Sequence, residues 1–272
     1  MKKPGKRTKT GAIFGVVMLA TLFAGKEIAA IVFLALTVLS VIEYLKIHSL
    51  LNHRLTAGTV ILLSVIAFVY VADFEFINIR DNHFILFLLF PWIAFLASII
   101  NQKHRHIEAL VSGFVCPILI AVPFGFVTAM YSVDFGWDLP YFAIPLSLFL
   151  FIWTNDMFAY FIGKSFGKRP LIPTVSPGKT IEGTLGGIVM TVITGLLFGV
   201  IFPEPGILFW TLYALITSLS SIIGDLAESS MKRRLGIKDS GSILPGHGGF
   251  LDRFDSLFMA ATFIYIFLIF WS

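Results

Sequence analysis

The chain has 272 residues, of which 57% are hydrophobic and only 13% charged, with 29 Phe and a mean hydropathy of +0.90. Soluble domains carry about 25% charged residues, so the composition excludes that class and points to a polytopic membrane protein. The net charge is +4 and the pI near 9.2, but the basic residues are sorted along the chain and not gathered into one surface, so no nucleic-acid partner is expected. The single cysteine, Cys116, excludes an internal disulfide, and the six His are too scattered for a zinc site.

The N-terminal tail MKKPGKRTKT carries five basic residues and leads into an apolar run over 11–24. Such a start looks like a secretory signal, but further apolar runs follow at once. It is therefore read as a retained first helix, short enough to be re-entrant. The later runs cover 28–45, 57–72, 84–100, 109–131, 139–162, 185–202, 207–227 and 254–271, which makes about nine spans. Lipid leaves backbone groups no partner outside their own segment, so the expected fold is an all-α membrane bundle. No repeat or low-complexity linker divides it, and 1–272 reads as one membrane domain whose motif-bearing half is 150–256.

With the N-terminus in the cytoplasm, 18 of the 20 Lys and Arg residues fall on the cytoplasmic side, leaving only Lys26 and Arg80 outside. Glu27, Asp73, Glu75, Asp81, Asp134, Asp138 and Glu204 collect in the outer turns. The C-terminus is then outside, and the motif-bearing loops face the cytoplasm from the inner membrane. In the first half the Gly, Ala and aromatic residues read as helix packing and interfacial anchoring. Pro91, Pro117, Pro123 and Pro145 are expected to kink or break their helices.

The second half carries the chemistry. Asn155 and Asp156 stand inside an apolar run, where a carboxylate costs about 2.5–3.5 kcal/mol on insertion scales and so faces a polar interior. Asp156 and Tyr160 share a helix face that continues to Gly163 and Lys164. This is either a buried interhelical hydrogen bond or a wall of a reaction cavity. The following loop, GKSFGKRPLIPTVSPGKTIEG, is spaced like a phosphate-gathering loop. Its PTVSPGKT segment imitates a Walker A ending, but Pro173 stands where the first glycine is required and no βαβ pattern surrounds it. What survives is Ser176, Lys179, Thr180, Glu182 and Gly183 leading into a helix at Leu185, whose N-terminus attracts anions.

On the penultimate span Ser218, Ser221, Asp225, Glu228 and Lys232 recur at three- and four-residue steps and form one polar stripe. The stripe enters the stretch 224–256, GDLAESSMKRRLGIKDSGSILPGHGGFLDRFDS, where acids and bases alternate across one connection. Carboxylates for a divalent metal, with cationic side chains and glycine amides for phosphates, suit nucleotidyl transfer. Asp225, Asp252 and Asp255 are the metal candidates for Mg²⁺, with Asp156 a weaker one. Lys179, Lys232, Arg233, Lys238, Arg253 and the amides of Gly248 and Gly249 are the phosphate candidates. His247 donates to a phosphate or fixes the loop. The structural alternative makes Asp252 and Asp255 a helix cap and a capping-box-like pair.

The run Ser230, Lys232, Arg233, Lys238, Asp239, Pro245, His247, Gly248, Gly249, Asp252, Arg253 and Asp255 resembles the signature of the phosphatidate cytidylyltransferases. Ser176-Pro177-x-Lys179-Thr180-x-Glu182-Gly183 is similar to a second element of that family, and Asn155-Asp156 also matches it. The resemblance implies transfer of CMP from CTP to phosphatidic acid with release of pyrophosphate, with membrane lipids as surroundings. It leaves a second cation and a homodimer open. Two other readings stand beside it, a membrane transferase with a different lipid acceptor and an ion-coupled transporter. The transporter is disfavoured because the polar groups gather at one membrane edge.

Overall fold

The computed structural model describes residues 6–72, 90, 93–94, 96, 106–133, 136–241 and 248–271. Helices dominate: α1 (Lys6–Phe23), α2 (Lys26–Ile47), α3 (Arg54–Val71), α4 (His106–Ala129), α5 (Ala143–Phe166), α6 (Ile181–Ile201), α7 (Ile207–Arg234) and α8 (Leu251–Trp271). Among the described residues seven of them, α2 to α8, are long and apolar enough to cross a membrane, and the apolar part of α1 is shorter. The protein is an all-α polytopic membrane protein. The expected span over 84–100 lies almost wholly outside the described residues.

Backbone packing divides the chain into two compact units, 1–132 with 239–253, and 133–238 with 254–272. In the first unit α2, α3 and α4 bury Phe33, Phe68 and Phe124 completely. Pro117 does not break α4. The helix widens instead into a π-turn over Val115–Ala121, in which Val122 N–H reaches back five residues to the Pro117 carbonyl. Pro123 opens the turn that follows, and Pro145 sits in the first turn of α5, where a missing N–H costs nothing. Several hydroxyls along these helices bond their own preceding turn, as Thr37 to Phe33 O at 2.8 Å and Ser64 to Val60 O at 2.8 Å.

The second unit is organised by α6. Gly183, Gly187, Thr191, Gly195 and Gly199 recur every fourth residue and are all buried, while Leu185, Val189, Leu197 and Val200 on the other face are exposed. Small residues allow neighbouring backbones to approach where lipid supplies no hydrophobic drive between helices. A Cβ at Gly187 would stand 2.8 Å from Asn155 O on α5, and one at Gly195 would stand 2.6 Å from Trp210 O on α7. Asn155, 2% exposed, then bridges α5 to α7: its Oδ1 accepts from Ser218 Oγ at 2.7 Å and its Nδ2 donates to Ser221 Oγ at 3.4 Å. At the far end of α7 an aromatic cluster of Phe151, Phe198, Phe209, Trp210 and Tyr213 closes the core. Its two polar handles are satisfied, Trp210 Nε1 by Phe202 O at 2.9 Å and Tyr213 OH by Ile144 O at 3.0 Å.

The connection from α5 to α6, expected as a loop, is a two-stranded antiparallel hairpin of β1 (Pro170–Ile172) and β2 (Ser176–Thr180). The helix after it starts at Ile181, a turn earlier than Leu185, because Thr180 caps it: Thr180 Oγ1 accepts from Gly183 N at 3.2 Å.

The packing makes a direct prediction. Gly195→Leu must push Trp210 and Ala214 away and should cost about 1–3 kcal/mol, whereas Val189→Leu on the lipid-exposed face should leave stability unchanged. Thermal unfolding of the two purified variants in detergent checks the difference.

Candidate active site

Between α5, the hairpin and α7 the second unit holds a cavity of about 490 Å³ lined by Asp156, Tyr160, Lys164, Lys179, Thr180 and Asp225. The helix face expected from the four-residue spacing of Asp156, Tyr160 and Lys164 is thus one wall, and Lys164 Nζ stands 5.8 Å from the centre of the Tyr160 ring. The opposite wall is the hairpin, fastened at both ends. At its base Glu182 accepts from Lys168 N at 3.0 Å, from Arg169 N at 3.2 Å and from Arg169 Nε at 3.2 Å, tying the exit of α5 to the start of α6. At its turn Arg233 of α7 donates from Nε to Val175 O at 3.3 Å. Glu182 and Arg233 therefore hold the hairpin. Ser176 opens β2, and Lys179 near its end carries its ammonium across the cavity to Asp225 Oδ2.

Asp225 is the centre of a charged group. Its second oxygen accepts from Ser229 Oγ at 3.2 Å, and Asp156 and Asp255 both lie within electrostatic range of it. Asp255 also meets Glu228 and Lys232, which pair with each other at 2.8 Å on one face of α7. A Cβ at Gly224 would stand 2.5 Å from Asp255 O, so a glycine is what lets α8 approach α7 at this level. Asp255 does not cap α8; the residue lies inside the helix, and its Oδ1 accepts from Ser256 N at 2.6 Å.

The balance of charge decides what this group can do. Asp156, Asp225, Glu228 and Asp255 set four carboxyl groups beside the two ammonium groups of Lys179 and Lys232, an excess of oxygen donors over paired cations. Among the described residues no three His, Cys, Asp or Glu side chains converge as a ready-made metal cage. A few hard oxygen donors in excess of their paired cations fit Mg²⁺, which is held by one or two carboxylates and takes its remaining ligands from water and substrate phosphates. The oxygen donors of Asp225 and Asp255 suit that hard ion better than a transition metal, which favours sulfur or imidazole.

The first unit contains the other half of the motif stretch. Asp252 lies in the first turn of α8 and folds back, so that its Oδ2 accepts from Gly249 N, Ser240 N and Ser240 Oγ, each at 2.8 Å. It is an in-helix residue reaching back over the helix start and not the N-cap residue itself. Gly248 has φ +80°, which only glycine adopts freely, and its neighbour Gly249 gives its amide to Asp252. Asp239 and Arg253 are exposed, as is Lys238 at the end of the second unit's segment. His247 lies outside the described residues.

Glu43 was absent from the sequence reading. It sits in α2, is 2% exposed, and accepts from Phe250 N at 2.6 Å and from Ser240 Oγ at 2.5 Å. The signal was present: a carboxylate inside an apolar run is the criterion that singled out Asp156, and it applies equally to 28–45.

Comparison with known proteins identifies the family. The model of the cytidylyltransferase family matches residues 5–271. The chain is 33% identical over 272 residues to the phosphatidate cytidylyltransferase of Bacillus subtilis (strain 168), covering 98% of each chain. It is 43% identical over 145 residues to the phosphatidate cytidylyltransferase of Brucella abortus biovar 1 (strain 9-941), covering 53% of this chain and 48% of that one. It is also 35% identical over 215 residues to the uncharacterized protein YnbB of Escherichia coli (strain K12), covering 71% and 67%. A match along almost the whole chain, over residues that build a polar cavity in a membrane bundle, means that this protein belongs to the cytidylyltransferase family and is a nucleotidyltransferase.

Proposed function

We propose that the chain makes CDP-diacylglycerol and pyrophosphate from CTP and phosphatidic acid, in the inner membrane, at a Mg²⁺-dependent site open to the cytoplasm. The observation that carries this reading is the charge group of Asp156, Asp225, Glu228 and Asp255 with Lys179 and Lys232, set beside a 490 Å³ cavity at one end of membrane helices. At such an end a soluble nucleotide meets a lipid phosphate whose acyl chains remain in the bilayer. Sidedness is supported by connectivity: the hairpin and the basic end of α7 share one end of the second unit, while Asp138, whose N–H is held by Glu204 at 3.0 Å, belongs to the other.

In the reaction an ionised phosphate oxygen of phosphatidic acid attacks the α-phosphorus of CTP. A P–O bond forms as the bond to the bridging oxygen of the β-phosphate breaks, and that oxygen leaves with its electron pair as pyrophosphate. The nucleophile is already ionised, so no proton has to be removed and the site needs no general base. Asp225 and Asp255 would hold Mg²⁺, which when bound supplies positive charge to the phosphate oxygens of the transition state. Lys179 and Lys232 add fixed positive charge at the same place, and Lys179 moves from Asp225 to a phosphate with little cost once the carboxylate has another cation. Asp156, Tyr160 and Lys164 line the cavity wall along which the phosphate lies.

Three outcomes are expected. Purified protein given α-phosphate-labelled CTP, phosphatidic acid and Mg²⁺ should move label into the lipid phase; EDTA should abolish this, and diacylglycerol should not replace phosphatidic acid. Label that never reaches lipid, or reaches diacylglycerol as readily, would end this assignment. Asp225→Asn and Asp255→Asn keep side-chain size but remove charge, and turnover should fall by about 100-fold or more with the protein still inserted. Asp156→Asn should be milder; an Asp255→Asn enzyme of near-normal rate at ordinary Mg²⁺ would remove Asp255 from the metal site. For sidedness, cysteine at 178 or 234 should be shielded from impermeant thiol reagents in intact cells and cysteine at 138 labelled, and the reverse pattern would place the site outside.

A further inference from the structure

Glu43 stands one turn before the end of α2, inside its apolar stretch, and is 2% exposed. A carboxylate in such a place is expensive unless it is answered by donors. Its donors all come from the motif stretch about 200 residues away along the chain: Ser240 Oγ at 2.5 Å on Oε1, and Phe250 N at 2.6 Å and Leu251 N at 3.4 Å on Oε2. Leu251 is the first residue of α8, so Glu43 satisfies backbone amides at a helix start that carries no polar side chain of its own at Phe250. The negative charge also lies at the positive end of the helix dipole.

We propose that Glu43 is a positioning residue for nucleotidyl transfer: its buried carboxylate seats the Gly248–Gly249 turn and the first turn of α8, and so sets the direction of Asp252. Two features beyond the hydrogen bonds carry this. A Cβ built at Gly249 would fall on Glu43 Oε1, and one at Gly241 would also strike it, so both glycines make room for this carboxylate. Ser240 Oγ lies between the two acids, 2.5 Å from Glu43 Oε1 and 2.8 Å from Asp252 Oδ2. One hydroxyl proton serves two acceptors, and the position of each carboxylate therefore depends on the other. Glu43 reaches the reaction only through these groups, Asp252 being a metal candidate and the Gly248 and Gly249 amides phosphate candidates of the motif stretch.

The inference rests on the nucleotidyl-transfer reading, and its test separates the two. In Glu43→Gln the amide keeps the shape but sets N–H groups against the N–H donors of Phe250 and Leu251. Hydrogen–deuterium exchange at 248–252 in the purified, full-length protein should rise about tenfold, with the rest of α2 unchanged. In the CTP and phosphatidic acid assay kcat should fall about 10–100-fold, as for other groups that orient a ligand from behind, while KM for both substrates stays within about threefold. Glu43→Asp retains the charge and should recover part of the exchange protection and part of kcat. Unchanged exchange in Glu43→Gln overturns the seat. Faster exchange with wild-type kcat, or a lowered Tm with normal kcat per folded molecule, overturns the positioning role, as does Glu43→Asp with no recovery. A wild-type protein that transfers no CMP would sink the reaction instead, and the exchange arm would still decide the seat.

Discussion

A carboxylate inside a membrane helix must be answered by a donor or a cation, and most of what is specific about this chain follows from how its acids are answered. Two different solutions are used. In the second unit Asp225 and Glu228 are matched by ammonium groups, from Lys179 across the cavity and Lys232 one turn along the helix. Such pairs can be exchanged for another cation or for a phosphate, so the arrangement is suited to ligand traffic. In the first unit Glu43 and Asp252 are matched by backbone amides and one serine hydroxyl, which cannot leave. That arrangement is suited to holding a loop still.

Glycine serves both. On α6 the four-residue repeat is a packing device: it removes side chains so that α5 and α7 can lie against one helix, and it allows the amide of Asn155 to reach Ser218 and Ser221. Near α8 the glycines remove side chains so that a carboxylate can lie against backbone. The stripe Ser218, Ser221, Asp225, Glu228 and Lys232 likewise divides along its length. Its first two residues are a structural bridge to Asn155, and its last three belong to the charged group.

The membrane class and seven of the expected spans were legible because they rest on local patterns, apolar run length and helical spacing. Asp156, Tyr160 and Lys164 were expected on one face and line one wall. The hairpin at 170–180 was not legible: β1 is three residues long and no alternating apolar pattern marks it, since its order comes from Glu182 and Arg233 outside it. Pro117 was expected to kink or break its helix, and it is absorbed in a π-turn packed against α2 and α3. Asp252 was read as a metal candidate, with a helix cap as the structural alternative from its place in the sequence. The acceptor that meets Phe250 N instead comes from Glu43, and no local rule for helix starts reaches that far.

That distance has a consequence for biogenesis. Glu43 and Phe250 are separated by 207 residues, so the carboxylate enters the membrane long before its donors have been made. A contact of such sequence separation closes late, after a large loop entropy has been overcome. Until then α2 carries an unanswered acid, and a nascent chain that stops short of residue 250 keeps it. The same side chain that finishes the fold is therefore a cost to any copy that has not yet reached residue 250.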